Sequence, residues 1–227
     1  MEKSLNWREF IITRLIQTSG YSAIVFVALI FFFLLREGIP TLGEVKLSNL
    51  LSARWYPIEN YFGILPLITG SLVVTIGAML IAFPLGIGTA VYISEIAPRW
   101  MREILKPLVE LLGGLPSVVL GFLGILLVSP FLRVFLDLPT GLTAFTGSLL
   151  LGGIAVPTIV SVAEDALDAV PRSYREGAWA LGATRWQTIW RVTLPAAKSG
   201  VLTAVMLGVG RAIGETMTVM MVTGNAP

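Results

Sequence analysis

Long apolar runs alternate with short polar stretches along the whole chain. A run of about 20 apolar residues is what a helix needs to cross a bilayer core. The pattern predicts spans at roughly 19–35, 64–93, 108–128, 143–162 and 196–222. Residues 1–17 mix Glu2, Lys3, Arg8, Glu9 and Arg14 with Trp7, Phe10, Ile11 and Ile12, which predicts an amphipathic lead-in at the membrane surface. Arg36-Glu37-Gly38 is not a small-residue cleavage site, so the first span is expected to be uncleaved. Residues 36–62, with Pro40, Gly43, Ser48, Asn49 and Pro57, read as an extramembrane loop. The second run holds Pro66 and Pro84, which predicts a tilted or kinked helix. Residues 94–107 read as a charged turn and 129–139 as a short loop. The third run is interrupted at Gly113-Gly114-Leu115-Pro116.

Composition agrees with the pattern. The chain has 227 residues, of which 55% are hydrophobic and 13% charged. Soluble domains carry about 25% charged residues, so there is too little polar surface here to cover a water-soluble sphere. The expectation is an all-α, polytopic membrane protein in contact with the lipid bilayer. There is no Cys and no His. That excludes disulfides, a thiolate nucleophile, a Cys/His zinc site and a Ser-His-Asp triad. A net charge of +2 gives no reason to expect nucleic acid.

The distribution of basic residues sets orientation. With the N-terminus in the cytoplasm, the inner side holds Lys3, Arg8, Arg14, Arg99, Arg102, Lys106, Arg172, Arg175, Arg185, Arg191 and Lys198. The outer side then holds only Arg36, Lys46, Arg54 and Arg133, and Arg211 is left inside a span. Glu95 and Glu110 sit near span ends and are expected to face the cytoplasmic side. No internal repeat is visible of the kind that many secondary transporters carry.

The segment 171–195 reads PRSYREGAWALGATRWQTIWRVTLP. Ser173 and Glu176 stand at capping-box spacing, as do Thr184 and Gln187. Tyr174, Ala178 and Leu181 make one helical stripe, and Trp186, Ile189, Trp190 and Thr193 a second, with Gly182 as the terminator between them. Two short helices are predicted. They carry no catalytic set, so the segment reads as a docking element for a partner rather than a bare surface hairpin.

Glu176, Ala178 and Gly182, then nine residues, then Val192, Leu194 and Pro195 resemble the EAA signature of ABC importer permeases. Gly177 replaces one Ala of that signature and Val192 its Ile. The segments 92–98 (YISEIAP), 113–124 (GGLPSVVLGFLG), 180–201 and 210–225 extend the likeness to the phosphate-specific branch and its C-type (PstC-type) subunits. The resemblance implies the fold of a type I ABC importer (MetI-like) transmembrane domain. It divides the chain into 1–62 (lead-in, first span, external loop) and 63–227, a permease core with the cytoplasmic coupling loop 164–195. It implies a coupling role for Arg172, Tyr174, Arg175, Glu176, Gly177, Ala178, Leu181 and Gly182. It implies a heterodimer with an A-type permease subunit, two ATP-binding subunits, an external phosphate-binding protein and a place in the bacterial plasma (inner) membrane. ATP and Mg would bind the partner and no cofactor this chain: Lys198-Ser199 follows Ala197 where a phosphate-binding loop needs Gly. Relatives carry a sixth span after the fifth, and this sequence stops at Pro227 without one.

Arg211 and Glu215 lie within the fifth run. Arg211, Glu215, Thr218 and Val222 share one face if the helix is continuous. Two readings are open. Arg211 and Glu215 form an i,i+4 pair that neutralises itself or joins two helices, or they line an anion pathway. Guanidinium matches the planar fork of a phosphate. A carboxylate would accept a hydrogen bond from protonated phosphate and repel fully ionised sulfate. Pro116 is read either as a plain kink or as a break that lets Ser117 line the pathway. Gly210 and Gly214 have the small-xxx-small spacing of close helix packing. The function expected is half of a translocation pathway for inorganic phosphate. The alternatives are an ATP-independent secondary anion transporter or channel, or an inactive truncated permease fragment.

Overall fold

The computed structural model describes residues 7–44, 51–59 and 61–224. The chain divides into two units, Met1–Pro66 and Leu67–Pro227. In the first unit, α1 (Trp7–Glu44) is one helix. The expected surface lead-in, first span and start of the outer loop are therefore continuous. The reason is local. Arg and Glu are good helix formers, so charge at 36–37 ends a membrane crossing without ending a helix. Polar side chains within α1 bond to their own helix, as when Thr18 donates to the Arg14 carbonyl at 2.9 Å and Ser22 to that of Ser19 at 2.9 Å. Residues 1–6 of the lead-in lie outside the described residues. The expected loop also contains a small hairpin, β1 (Trp55–Tyr56) against β2 (Tyr61–Phe62), antiparallel with Trp55 opposite Phe62. Those two rings meet edge to face at 6.2 Å.

The second unit is built around a central helix. α2 spans Leu65–Ile96 and α5 spans Ala144–Asp168, and α4 (Ser117–Phe135) lies between them in sequence. Where a charged turn was expected, the chain forms an amphipathic helix, α3 (Arg99–Gly113). The apolar start of the expected third span belongs to α3, and the crossing itself is α4, which runs on to Phe135 through the first part of the expected 129–139 loop. α5 also extends past its expected end. Its N-terminus is capped by Thr143, whose hydroxyl accepts from the Thr146 N–H at 3.2 Å. The segment 171–195 and the residue after it give α6 (Arg172–Ala180) and α7 (Arg185–Ala196), and the last run gives α8 (Lys198–Gly214) and α9 (Met217–Val222). Among the described residues, four helices are long and apolar enough to cross a membrane. A fifth crossing arises if α7 and α8, bent by 75°, count as one.

Small residues let α5 be gripped from two sides. On α2, Ala78, Ala82, Gly86 and Ala90 repeat every fourth residue and are buried. On α8, Ala204, Gly208 and Ala212 do the same. These stripes meet Leu151, Ala155, Ile159, Ala163 and Leu167 of α5. A Cβ on Gly86 would lie 2.7 Å from Ile159 Cγ2, and one on Gly208 would lie 2.5 Å from Ile159 Cγ1. In lipid, such close backbone approach supplies the dispersion contact that hydrophobic burial supplies in water. The small-xxx-small spacing is thus used along 200–212. Gly210 and Gly214, where the sequence suggested it, have nothing within 4 Å of an added Cβ.

Candidate functional site

Two helix breaks meet at one place in the second unit. The first is the Gly114–Pro116 interruption between α3 and α4. Pro116 cannot donate a backbone hydrogen bond, and at φ −60°, ψ 130° it caps α4 in an extended conformation. The second break is at Glu215 and Thr216, between α8 and α9. Glu215 leaves the helix at φ −79°, ψ 115°. The fifth run is therefore not one helix, and the face expected to carry Arg211, Glu215, Thr218 and Val222 together is interrupted.

A cleft of about 510 Å³ opens between the breaks, lined by Gly113–Ser117 on one side and by Gly210, Arg211, Gly214 and Glu215 on the other. Arg211 is 13 residues along from Lys198, so the helical rise puts it about 20 Å from the start of α8, well inside the last apolar run. Among the described residues its side chain has neither a hydrogen bond nor an ion pair. The self-neutralising pair with Glu215 does not form, because Glu215 has turned out of the helix. Its Oε1 instead accepts from the Thr218 N–H at 3.1 Å. Thr218 is fully buried. It does not line the cleft; its hydroxyl donates to the Ser117 carbonyl at 2.9 Å and joins the two breaks. The structure thus brings Arg211, Glu215 and Ser117 to one cleft and puts Thr218 behind it.

The segment 171–195 forms a second candidate surface. α6 buries no residue, and Tyr174, Trp179 and Leu181 are 54%, 47% and 91% exposed. Arg172, Glu176 and Gly177 are exposed, and Ala178 is half-buried. The Thr184–Gln187 capping box forms in full, with both reciprocal hydrogen bonds. The Ser173–Glu176 box does not. Pro171 is the cap of α6, at φ −57° and ψ 139°, so Ser173 already lies inside the helix. Gly182 closes α6 with φ +82°, a conformation that only Gly adopts without strain.

Charged groups that sequence reasoning left unassigned tie this end of the bundle together. Glu164, 2% exposed, accepts from Arg102 at 2.8 Å and from Lys106 at 2.7 Å. Arg102 also pairs with Asp168, and Lys106 with Asp165 at 3.1 Å. Ser94 donates to Asp168 at 2.7 Å. The hydrogen bond to Glu164 holds Lys106 above its ordinary pKa, against the opposing effect of burial. Arg102 is held in its charged form by Asp168 first and Glu164 next. The clasp fixes amphipathic α3 across the end of α5. Glu95, expected at the cytoplasmic interface, is instead 9% exposed and paired with Arg175. One signal for α3 was in the sequence: Trp100, Ile104, Leu108 and Leu111 recur at helical spacing. No local signal reveals ion-pair partners 58 to 80 residues apart.

Residues 82–227 match the family described as "Binding-protein-dependent transport system inner membrane component". The chain belongs to this family. It is a multi-pass membrane protein. It is 46% identical over 185 residues to the probable ABC transporter permease protein YqgH of Bacillus subtilis, covering 81% of this chain and 60% of that one. It is 36% identical over 198 residues to the phosphate transport system permease protein PstC of Xylella fastidiosa, covering 79% and 61%. Its likeness to PstC of Mesorhizobium japonicum is also 36%, over 204 residues, covering 82% and 62%. The chain therefore spans about three fifths of the length of these relatives. The fold is similar to a solved structure of the MetNI methionine ABC transporter in inward-facing conformations, with a TM-score of 0.52 and 24% identity over 67% of this chain and 68% of that one. The architecture is that of a type I ABC importer transmembrane domain.

Proposed function

We propose that this permease forms half of the translocation pathway of an ATP-driven importer of inorganic phosphate. The observation that carries the reading is an unpaired Arg211 in a cleft between two helix breaks. An Arg at mid-depth costs about 2.5–3.5 kcal/mol on insertion scales and is kept where it meets a cavity or an ion. The N-terminus of α4 opens into the same cleft at Ser117, adding the positive end of a helix dipole. Broken helices at mid-depth are a recurrent way to build ion and substrate sites in membranes. Arg211 is the anion-binding cation. Glu215 accepts a hydrogen bond from the O–H of hydrogen phosphate, using the carboxylate oxygen that the Thr218 N–H leaves free. Sulfate has no proton to offer and is rejected. Likeness to two phosphate permeases supports this choice of anion.

The chemistry of transport belongs to the assembly. In this reading the partners are an A-type permease, two ATP-binding subunits that hold ATP and Mg, and an external phosphate-binding protein. The chain sits in the bacterial inner membrane with its N-terminus in the cytoplasm. α6 and the Gly182 turn seat on an ATP-binding subunit, whose closure rocks the bundle between inward- and outward-open states.

Arg211→Ala, in the complete complex, tests the site. The expected result is loss of phosphate uptake with all subunits still assembled. Wild-type uptake by the variant would remove Arg211 from the pathway.

A further inference from the structure

One side chain of α6 does not point outward with the others. Arg175 is 14% exposed, and its partner Glu95 is 9% exposed. Arg175 Nε donates to both carboxylate oxygens of Glu95, at 3.1 and 3.2 Å, and Nη2 donates to Oε1 at 2.5 Å. Nη1 donates to the Val170 carbonyl at 2.7 Å, and Nη2 to the Leu167 carbonyl at 2.9 Å. The Leu167 carbonyl, which also accepts from the Val170 N–H at 3.2 Å, belongs to the last turn of α5, and the Val170 carbonyl lies just past its end. One guanidinium therefore bolts three segments together: α6, the π-turn Tyr92–Ile96 that ends α2, and the end of α5. The contacts are charge-assisted and shielded from water, which makes them stiffer than surface pairs.

We propose that Arg175 and Glu95 are the strut through which α6 moves α2 and α5, and not part of the surface that the partner touches. The inference rests on the ATP-driven reading above. α6 has no fully buried residue, so apolar packing gives it little grip on α2 and α5. The strut supplies that grip. Beyond it the route is contiguous: α2 and α5 interlock at Gly86 and Ile159, and α5 interlocks with α8 at Ile159 and Gly208. α8 carries Arg211. Arg175 and Glu95 are thus positioning residues for transport. A physical route of packed elements with two arrangements is what coupling between distant sites requires.

The test uses the complete complex in proteoliposomes with Arg175→Ala, Arg175→Lys, Glu95→Ala and Glu95→Gln. Two quantities are read: ATP-binding subunit retained per permease, and phosphate moved per ATP hydrolysed. A loss of folded protein lowers total activity and leaves that ratio alone, whereas a broken strut lowers the ratio. The expected result for both Ala variants is retention of the ATP-binding subunit with a fall of about tenfold in the ratio, within the range for coupling between sites. Arg175→Lys recovers part of the loss, since an ammonium reaches Glu95 without the fork. Glu95→Gln keeps the side-chain shape and shows a smaller fall, so it carries the test if an Ala variant does not assemble. Release of the ATP-binding subunit by Arg175→Ala, matching the surface variant Leu181→Asp, would overturn the proposal. So would a wild-type ratio in Glu95→Ala. Failure of the underlying reading is seen separately, in the wild-type arm, as uptake that needs no ATP.

Discussion

Gly200→Ala is the sharpest probe of the α5–α8 contact. An added Cβ at Gly200 would lie 2.4 Å from the Ala166 Cβ and 3.5 Å from its Cα. Two methyl carbons sit comfortably at about 3.5–4.0 Å, so the helices must part by about 1 Å or more at this level. Neither methyl has a rotamer to escape into. Overpacking of this kind costs about 1–3 kcal/mol, and the absence of an escape puts Gly200→Ala near the top of that range. The better helix propensity of Ala returns up to about 1 kcal/mol. The net loss is about 1–2 kcal/mol. At about 2–4 °C per kcal/mol for a chain of this length, the melting temperature in detergent falls by several degrees. Gly153→Ala, on the open side of α5 with nothing within 4 Å, is the control and does not fall. Removing the opposing methyl with Ala166→Gly restores most of the loss in the double variant, as a double-mutant cycle requires of a direct contact. A Gly200→Ala protein as stable as Gly153→Ala, or a double variant no better than the single, would refute the packing argument.

The remaining expectations follow from charge and backbone. Glu164→Gln leaves Arg102 and Lys106 without their shared buried carboxylate and destabilises the bundle by about 1–3 kcal/mol, read as a lower melting temperature and faster proteolysis at α3. Lys106 has a raised pKa in the folded chain. Its contribution is therefore complete below the ordinary lysine pKa and is lost only as pH rises through the higher folded value. Lys106→Met and wild type should accordingly keep a constant difference in stability from pH 7 to pH 9 and converge only at stronger alkali. Gly182→Ala forces a Cβ into φ +82° and costs about 1 kcal/mol, seen as faster hydrogen exchange at the α6–α7 turn.

The spans were legible because an apolar run is a direct statement of membrane depth. Helix ends were not, because hydropathy changes where the chain meets water and not where its hydrogen bonds stop. α1 continues past Arg36 and α4 continues to Phe135 for that reason. α3 looks like a turn in the sequence because its charges resemble loop polarity, although its apolar spacing is that of a helix. The same capping pattern succeeded at Thr184 and failed at Ser173, where Pro171 starts the helix two residues earlier. Of the cleft, Arg211, Glu215 and Ser117 were legible as out-of-place residues within apolar runs. Their juxtaposition was not, because it depends on a helix break at Glu215 that the local sequence does not announce. The Arg175–Glu95 and Glu164 contacts were beyond reach for the same reason that most tertiary contacts are: they join residues far apart in the chain.

In the proposed function, phosphate passes through the Arg211 cleft at the expense of ATP. The most direct measurement is uptake of labelled phosphate and sulfate into proteoliposomes holding the complete complex, with this chain as the C-type subunit, with and without ATP. The account predicts ATP-dependent uptake of phosphate, little uptake of sulfate, and narrowing of that preference in Glu215→Gln. Equal uptake of both anions, or phosphate uptake that proceeds without ATP, would contradict it.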